Sequence, residues 1–214
     1  MNIKHKYNTL LAVLASIQPK WCYHIARGEK TVEIRKNRPN IKTPFKCYIY
    51  CTKPKNKNDL GLCMDEGVVD FVFKQNYEAA KRYKMQILSG KIIGEFTCNH
   101  IDEFQVFENG SVQNWNAANL VKSCLTYDEI ARYIGIGNKG YAWHISDLII
   151  YDQPKELAEF YTEDFEEVYS AWEDLFNIGI SSIGRVEYPP EPKKEDYIVK
   201  RPPQSWCYVE QNQC

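Results

Sequence analysis

Gly28-Glu29-Lys30-Thr31-Val32-Glu33-Ile34-Arg35 joins a helix stop to a strand within eight residues. A strand's period of two sends Val32 and Ile34 to one face and Thr31, Glu33 and Arg35 to the other. One face is apolar, for packing, and one is polar. Lys30 stands just before the strand, so both charge signs fall within one short element. The polar face is open to two readings: an exposed surface with cross-strand ion pairs, or the wall of a cleft. In a cleft, Lys30 or Arg35 would pair with phosphate while Glu33 accepts a proton or reads a base donor. Upstream, Trp21 and Tyr23 offer rings for base stacking, although aromatics on a short helix commonly belong to the core.

Working outward, the apolar, β-compatible Thr9 to Ala15 precedes Ser16-Ile17-Gln18-Pro19, and Lys20 to Arg27 is predicted as a short helix ended by Gly28. After strand Thr31 to Arg35 comes the turn Asn37-Arg38-Pro39-Asn40, then a strand over Phe45 to Thr52. Lys53 to Asp59 is a polar loop, and Asn76 to Leu88 has helical spacing. Lys91 to Cys98 is a strand that continues more weakly to Phe107. Thr126 with Glu129 predicts a capped helix over Tyr127 to Ile134, and Tyr141 to Tyr151 is another strand. Helical, acidic segments are expected at Lys155 to Phe160 and Phe165 to Phe176, with a late strand over Ser205 to Glu210. The expected organisation is a main domain over 1–158 with an insertion at about 54–88, an acidic helical extension with a Pro-rich linker over 159–200, and a C-terminal strand within 201–214 that packs on the main domain.

Charge is unevenly spread. Residues 1–58 hold thirteen Lys and Arg against Glu29 and Glu33, a net of +11, whereas 151–187 hold ten Asp and Glu against Lys155 and Arg185, a net of −8. A basic stretch gains affinity for phosphates by releasing counterions, so nucleic acid is a natural partner. The alternative is that the acidic stretch neutralises the basic one internally, or that it engages a basic protein partner. Eight cysteines stand at no C-x-x-C spacing and are expected as reduced, small hydrophobes. No metal and no cofactor is expected, and His24, His100 and His144 lack ligand spacing. The run Leu10 to Ala15 is too short for a membrane span or a signal-peptide core, so no membrane partner and a cytoplasmic location are expected. Gly135-Ile136-Gly137-Asn138-Lys139-Gly140 follows a helix and precedes a strand, the reverse of a phosphate-loop context, and is assigned to a turn.

Ser16-Ile17-Gln18-Pro19-Lys20-Trp21, Ile25 and Gly28 to Arg35 together resemble the N-terminal signature of ASCH domains, members of the PUA-like superfamily. Gly90-Lys91-Ile92-Ile93-Gly94-Glu95-Phe96 resembles the family's central strand, and Gly140-Tyr141-Ala142-Trp143-His144-Ile145 its last core strand. Arg201-Pro202-Pro203-Gln204-Ser205-Trp206-Cys207-Tyr208-Val209-Glu210 resembles the ending of ASCH proteins found in bacteria and their phages. The likeness covers about 9–53 and 89–158 plus the tail.

The resemblance implies an α+β fold: a PUA-like β-barrel of five or six mainly antiparallel strands, flanked by short helices. It also implies a groove used for RNA or modified nucleotides. By this analogy Lys30, Thr31, Glu33 and Arg35 line the groove, with Trp21 and Trp143 as stacking surfaces. Some relatives are amidohydrolases of N4-acetylcytidine that use a motif Lys, a Thr three residues later and a helical Glu. Lys30 matches the first, but Glu33 stands at the Thr position and Asn114 to Val121 holds no carboxylate. Ribonuclease activity belongs to another part of the family, and Lys30 with Glu33 would then be the acid–base pair, with Arg35 stabilising phosphorane charge. The residues therefore favour binding over acyl hydrolysis.

Overall fold

A computed structural model describes residues 11–109, 111–115, 117–162, 164–180 and 190–211. β1 (Leu11–Ile17), α1 (Pro19–Ala26), β2 (Val32–Arg35) and β3 (Phe45–Cys51) follow the order expected. Next come the hairpin β4 (Leu60–Asp65) and β5 (Val68–Phe73), then α2 (Tyr77–Arg82) and β6 (Gln86–Ile87). β7 (Ile92–Val106) and the short β8 (Val112–Gln113) lead to α3 (Ala117–Ser123) and α4 (Tyr127–Ile134). β9 (Lys139–Lys155), α5 (Asp164–Ile180) and β10 (Trp206–Glu210) complete the set.

The main sheet runs β10-β1-β3-β7-β9-β2, with β8 appended to β7, and β5-β4-β6 form a second, three-stranded sheet. β1 and β3 pair in parallel, and the other described pairs are antiparallel. The mixed α/β content agrees with expectation, but the main sheet does not close into a barrel. Its ends, β10 and β2, share no backbone ladder. A side chain spans the opening instead: Arg35, on β2, donates from Nη2 to Ser16 O and from Nη1 to Ser205 O, both at 3.0 Å.

Alternation within β1 and β3 explains the burial. Val13, Ala15, Ile17, Cys47, Ile49 and Cys51 enter the main core, which α1 covers through Cys22 and Ile25. Ala12, Leu14, Tyr48 and Tyr50 point the other way and are buried too, against Phe160, Val199 and Val209. Phe160, the last residue of the helix expected at Lys155 to Phe160, is fully buried with its ring 4.8 Å from that of Tyr48. Backbone bonds fasten the same stretch: Val199 N donates to Phe160 O and Glu210 N to Tyr161 O.

Two expected helices are shorter than their periodicity. α2 stops at Arg82, and Gln86–Ile87 pairs with β4. β9 runs on through Lys155, so only a 3-10 turn at Leu157–Glu159 is left of the helix expected at Lys155 to Phe160. The ladder with β7 accounts for this, since Ile92 pairs with Lys155. The capping box at Thr126 is present, with Glu129 N donating to Thr126 Oγ1 and Thr126 N to Glu129 Oε2. Among the described residues no helix is long and apolar enough to cross a membrane.

Candidate functional site

The site begins where α1 ends. Gly28 adopts a φ of +71°, and His24 O accepts from both Glu29 N and Lys30 N. That left-handed turn suits a residue without a Cβ. Its consequence is a division of labour: Glu29 stays outside, bonded to His24 and Arg27, while Lys30 turns inward.

Lys30 is only 2% exposed. Its Nζ donates to Val32 O at 2.8 Å and Ser123 O at 2.7 Å, and lies 3.4 Å from Glu33 Oε2. Burial pushes its pKa below the usual lysine range, and the neighbouring Glu33 carboxylate opposes that shift without reversing it. The ammonium also sits 5.2 Å from the centroid of the Trp21 ring. Across the carboxylate, Arg35 Nε is 3.1 Å from Glu33 Oε1, close enough for an ion pair but not aligned as a hydrogen bond. β2 therefore carries a buried cation–carboxylate–cation row, with Glu33 6% and Arg35 3% exposed. The apolar face behaves as its period requires, with Val32 and Ile34 packed against Phe104, Val106, Ile130 and Ile134.

The row lines a cavity of about 810 Å³. Trp21, Lys30, Glu33 and Arg35 are on its wall. Thr31 and Trp143 are not. Thr31 acts through its backbone, its N–H donating to Lys122 O and its carbonyl accepting from Ile145 N. Trp143 pairs with Glu33 in the β2–β9 register but is wholly buried, its ring 5.9 Å beneath the Arg35 guanidinium and edge-on to Phe45. It supports Arg35 from below and has no exposed face for stacking.

Several wall residues come from elsewhere in the chain. Lys53 and Lys55 follow β3; Glu129, Arg132 and Tyr133 lie on α4; Pro202, Pro203 and Gln204 precede β10. The cap motif marked α4, but nothing local showed which side of it faces a cavity. The proline segment is tied on by Ser16 Oγ, which donates to Pro203 O at 2.7 Å. A helical carboxylate does stand on the cavity wall, Glu129 of α4, engaged by its capping box and by Lys20 at 3.7 Å.

The main sheet is thus open and mixed, with the cavity beside its unpaired ends. The chain is similar to ASCH from Zymomonas mobilis. The two share 16% identity over 86% of this chain and 90% of that one, with a TM-score of 0.45. Two point mutants of the same Zymomonas protein align at TM-scores of 0.43, with 15% and 16% identity, covering 86% of this chain and 92% and 90% of theirs. No protein-family model and no curated protein matches the chain.

A second polar cluster lies on the β7–β9 ladder. Asp102 accepts from Asn119 Nδ2 and is hydrogen-bonded to His100 and His144 at 2.7 and 2.8 Å. Burial opposes ionisation of Asp102, but those three bonds outweigh it and hold the carboxyl below its usual range. Among the described residues no group of three or more His, Cys, Asp or Glu is arranged to hold a metal ion. The seven described cysteines are free thiols, with Cys214 outside the described residues, and burial pushes the Cys98 thiol up to about 12.

Proposed function

We propose that this chain is an ASCH-type module that binds RNA or a modified nucleotide, and that the cavity beside Gly28 to Arg35 holds the nucleotide. The observation that carries this is the cavity's composition: Lys53, Lys55 and Arg132 at its rim, the Trp21 ring on its wall, and a volume within the range of small-molecule sites. The basic segment 1–58 of the sequence supports the same class of partner.

Lys30 and Arg35 are poor residues with which to test it. Both are buried, so their truncation would disturb folding along with binding. Lys53 and Arg132 are exposed and give a clean test. Lys53→Ala with Lys55→Ala and Arg132→Ala should leave the fold intact and weaken single-stranded RNA binding in an anisotropy titration. The logarithmic salt slope should fall by about one for each phosphate that the variant no longer neutralises. Binding that ignores both salt and this triple variant sinks the proposal.

A second reading, a small hydrolase, is favoured by one specific arrangement: a buried Lys30 with a lowered pKa beside Glu33, with Glu129 in the same cavity. Single-stranded RNA and acylated cytidine are the substrates to offer. Product release that disappears in Glu33→Gln while its circular dichroism stays that of the wild type selects this reading, and no turnover of either substrate rejects it.

A further inference from the structure

Within the proposed site, we infer that the nucleotide enters base first, presenting N–H donors to Glu33 while its phosphate stays at the Lys53–Lys55–Arg132 rim, so that the cavity favours amino-bearing bases over uracil. This rests on the nucleotide-binding proposal and adds orientation and base preference to it.

The inner end of the cavity is polar, yet its cations are already occupied. Lys30 spends two N–H groups on Val32 O and Ser123 O, and what remains faces Glu33. Arg35 spends Nη1 on Ser205 O and Nη2 on Ser16 O, and its Nε is buried against Glu33. Ser16 Oγ is likewise engaged, with Pro203 O. A phosphate pushed to this depth would meet few free donors and one carboxylate.

Glu33 is different. An ionised carboxylate offers about four lone-pair sites, and among the described residues the polar contacts of the Glu33 carboxylate are the two ion pairs at 3.1 and 3.4 Å. It is an acceptor with capacity left, flanked by charges that orient it. The complementary ligand group is therefore a donor. Adjacent N1–H and N2–H donors make guanine the fullest match for two carboxylate oxygens, and the amino groups of cytosine and adenine supply one. Uracil sets its single N–H between two carbonyls, which the carboxylate would repel. Trp21, already on the wall, can take the base's face. The cations with no ion pair among the described residues lie outside: Lys53, Lys55 and Arg132 are exposed, where a phosphate keeps part of its hydration.

Calorimetric titration of the full chain with GMP, CMP, AMP, UMP, guanosine and ribose 5-phosphate tests this. GMP should bind tightest, UMP about tenfold or more weaker, and ribose 5-phosphate weaker still. The Lys53→Ala, Arg132→Ala double variant should weaken GMP while leaving guanosine unchanged. UMP equal to GMP, or ribose 5-phosphate equal to GMP, overturns the inference even where RNA binds, and leaves the nucleotide-binding proposal standing. Failure of every nucleotide and of RNA to bind overturns both. The wild-type ranking decides the matter without any change to the buried row; where Glu33→Gln folds, its ranking should flatten.

Discussion

Lys30, Glu33 and Arg35 bury three charges on one four-residue strand and the residue pair before it, and such an arrangement holds only while all three are present. Removing one leaves the others desolvated without compensation, a loss of about 3–5 kcal/mol for a buried pair. Lys30→Met should therefore lower the denaturant midpoint strongly, and a midpoint within error of wild type would show that the row contributes no cohesion. Glu95 makes a pH-dependent prediction. Burial opposes its ionisation, but hydrogen bonds from Lys46 and Tyr151 outweigh that and hold the carboxyl below its usual range. Because the folded value is the lower one, the stabilisation is complete above the unfolded value near about 4.3 and is lost as pH falls through the folded value. Glu95→Gln should cost stability at neutral pH and flatten the acid limb of the stability curve. An acid limb that is unchanged in the variant assigns the pH dependence to other carboxyls.

At the scale of elements, α4 shows how a local motif serves a distant site. Its capping box fixes the first turn, and the same Glu129 that closes the cap stands on the cavity wall. Thr126→Ala should cost about 1 kcal/mol and reduce nucleotide affinity more than a surface change elsewhere, read by thermal melting and titration together. Unchanged affinity in a destabilised variant would separate the cap from the site. The pairing of β7 with β9 makes the opposite case, since its close approaches come from far along the chain. A Cβ at Gly94 would lie 2.2 Å from Ile149 O, backbone that cannot step aside. Gly94→Val should therefore abolish soluble expression or lower the melting temperature sharply, whereas normal melting would mean that the β7–β9 ladder, whose register already shifts between Ile92 and Gly94, can shift again.

For the molecule as a whole, the C-terminal strand is a structural part of the cavity. β10 completes one end of the main sheet against β1, and the residues before it supply Ser205 O to Arg35 and Pro203 O to Ser16. Ending the chain at residue 200 should release Arg35, open the cavity and abolish nucleotide binding, with hydrogen exchange rising at β1 and β2; retained binding would place the ligand elsewhere. The local chemistry was legible in the sequence. The period of two divided Val32 and Ile34 from Glu33 and Arg35, Gly28 marked the turn, and Thr126 with Glu129 marked a helix, because each of these depends on neighbours within a few positions. The β4–β5 hairpin, the early end of α2 and the extension of β9 to Lys155 were not legible, because ladder partners far along the chain decide them. The same holds for the site. Residue types nominated Lys30, Glu33 and Arg35, but only the tertiary structure decided that the two cations bond to carbonyls of Val32, Ser123, Ser16 and Ser205 while Glu33 faces the cavity. It also placed Trp143 in the core, and it left the sheet open with a guanidinium across the gap. The partner of Arg35 at Ser205 stands 170 positions along the chain. Bonds of that reach settle which charge is free to meet a ligand, and no pattern within a strand records them.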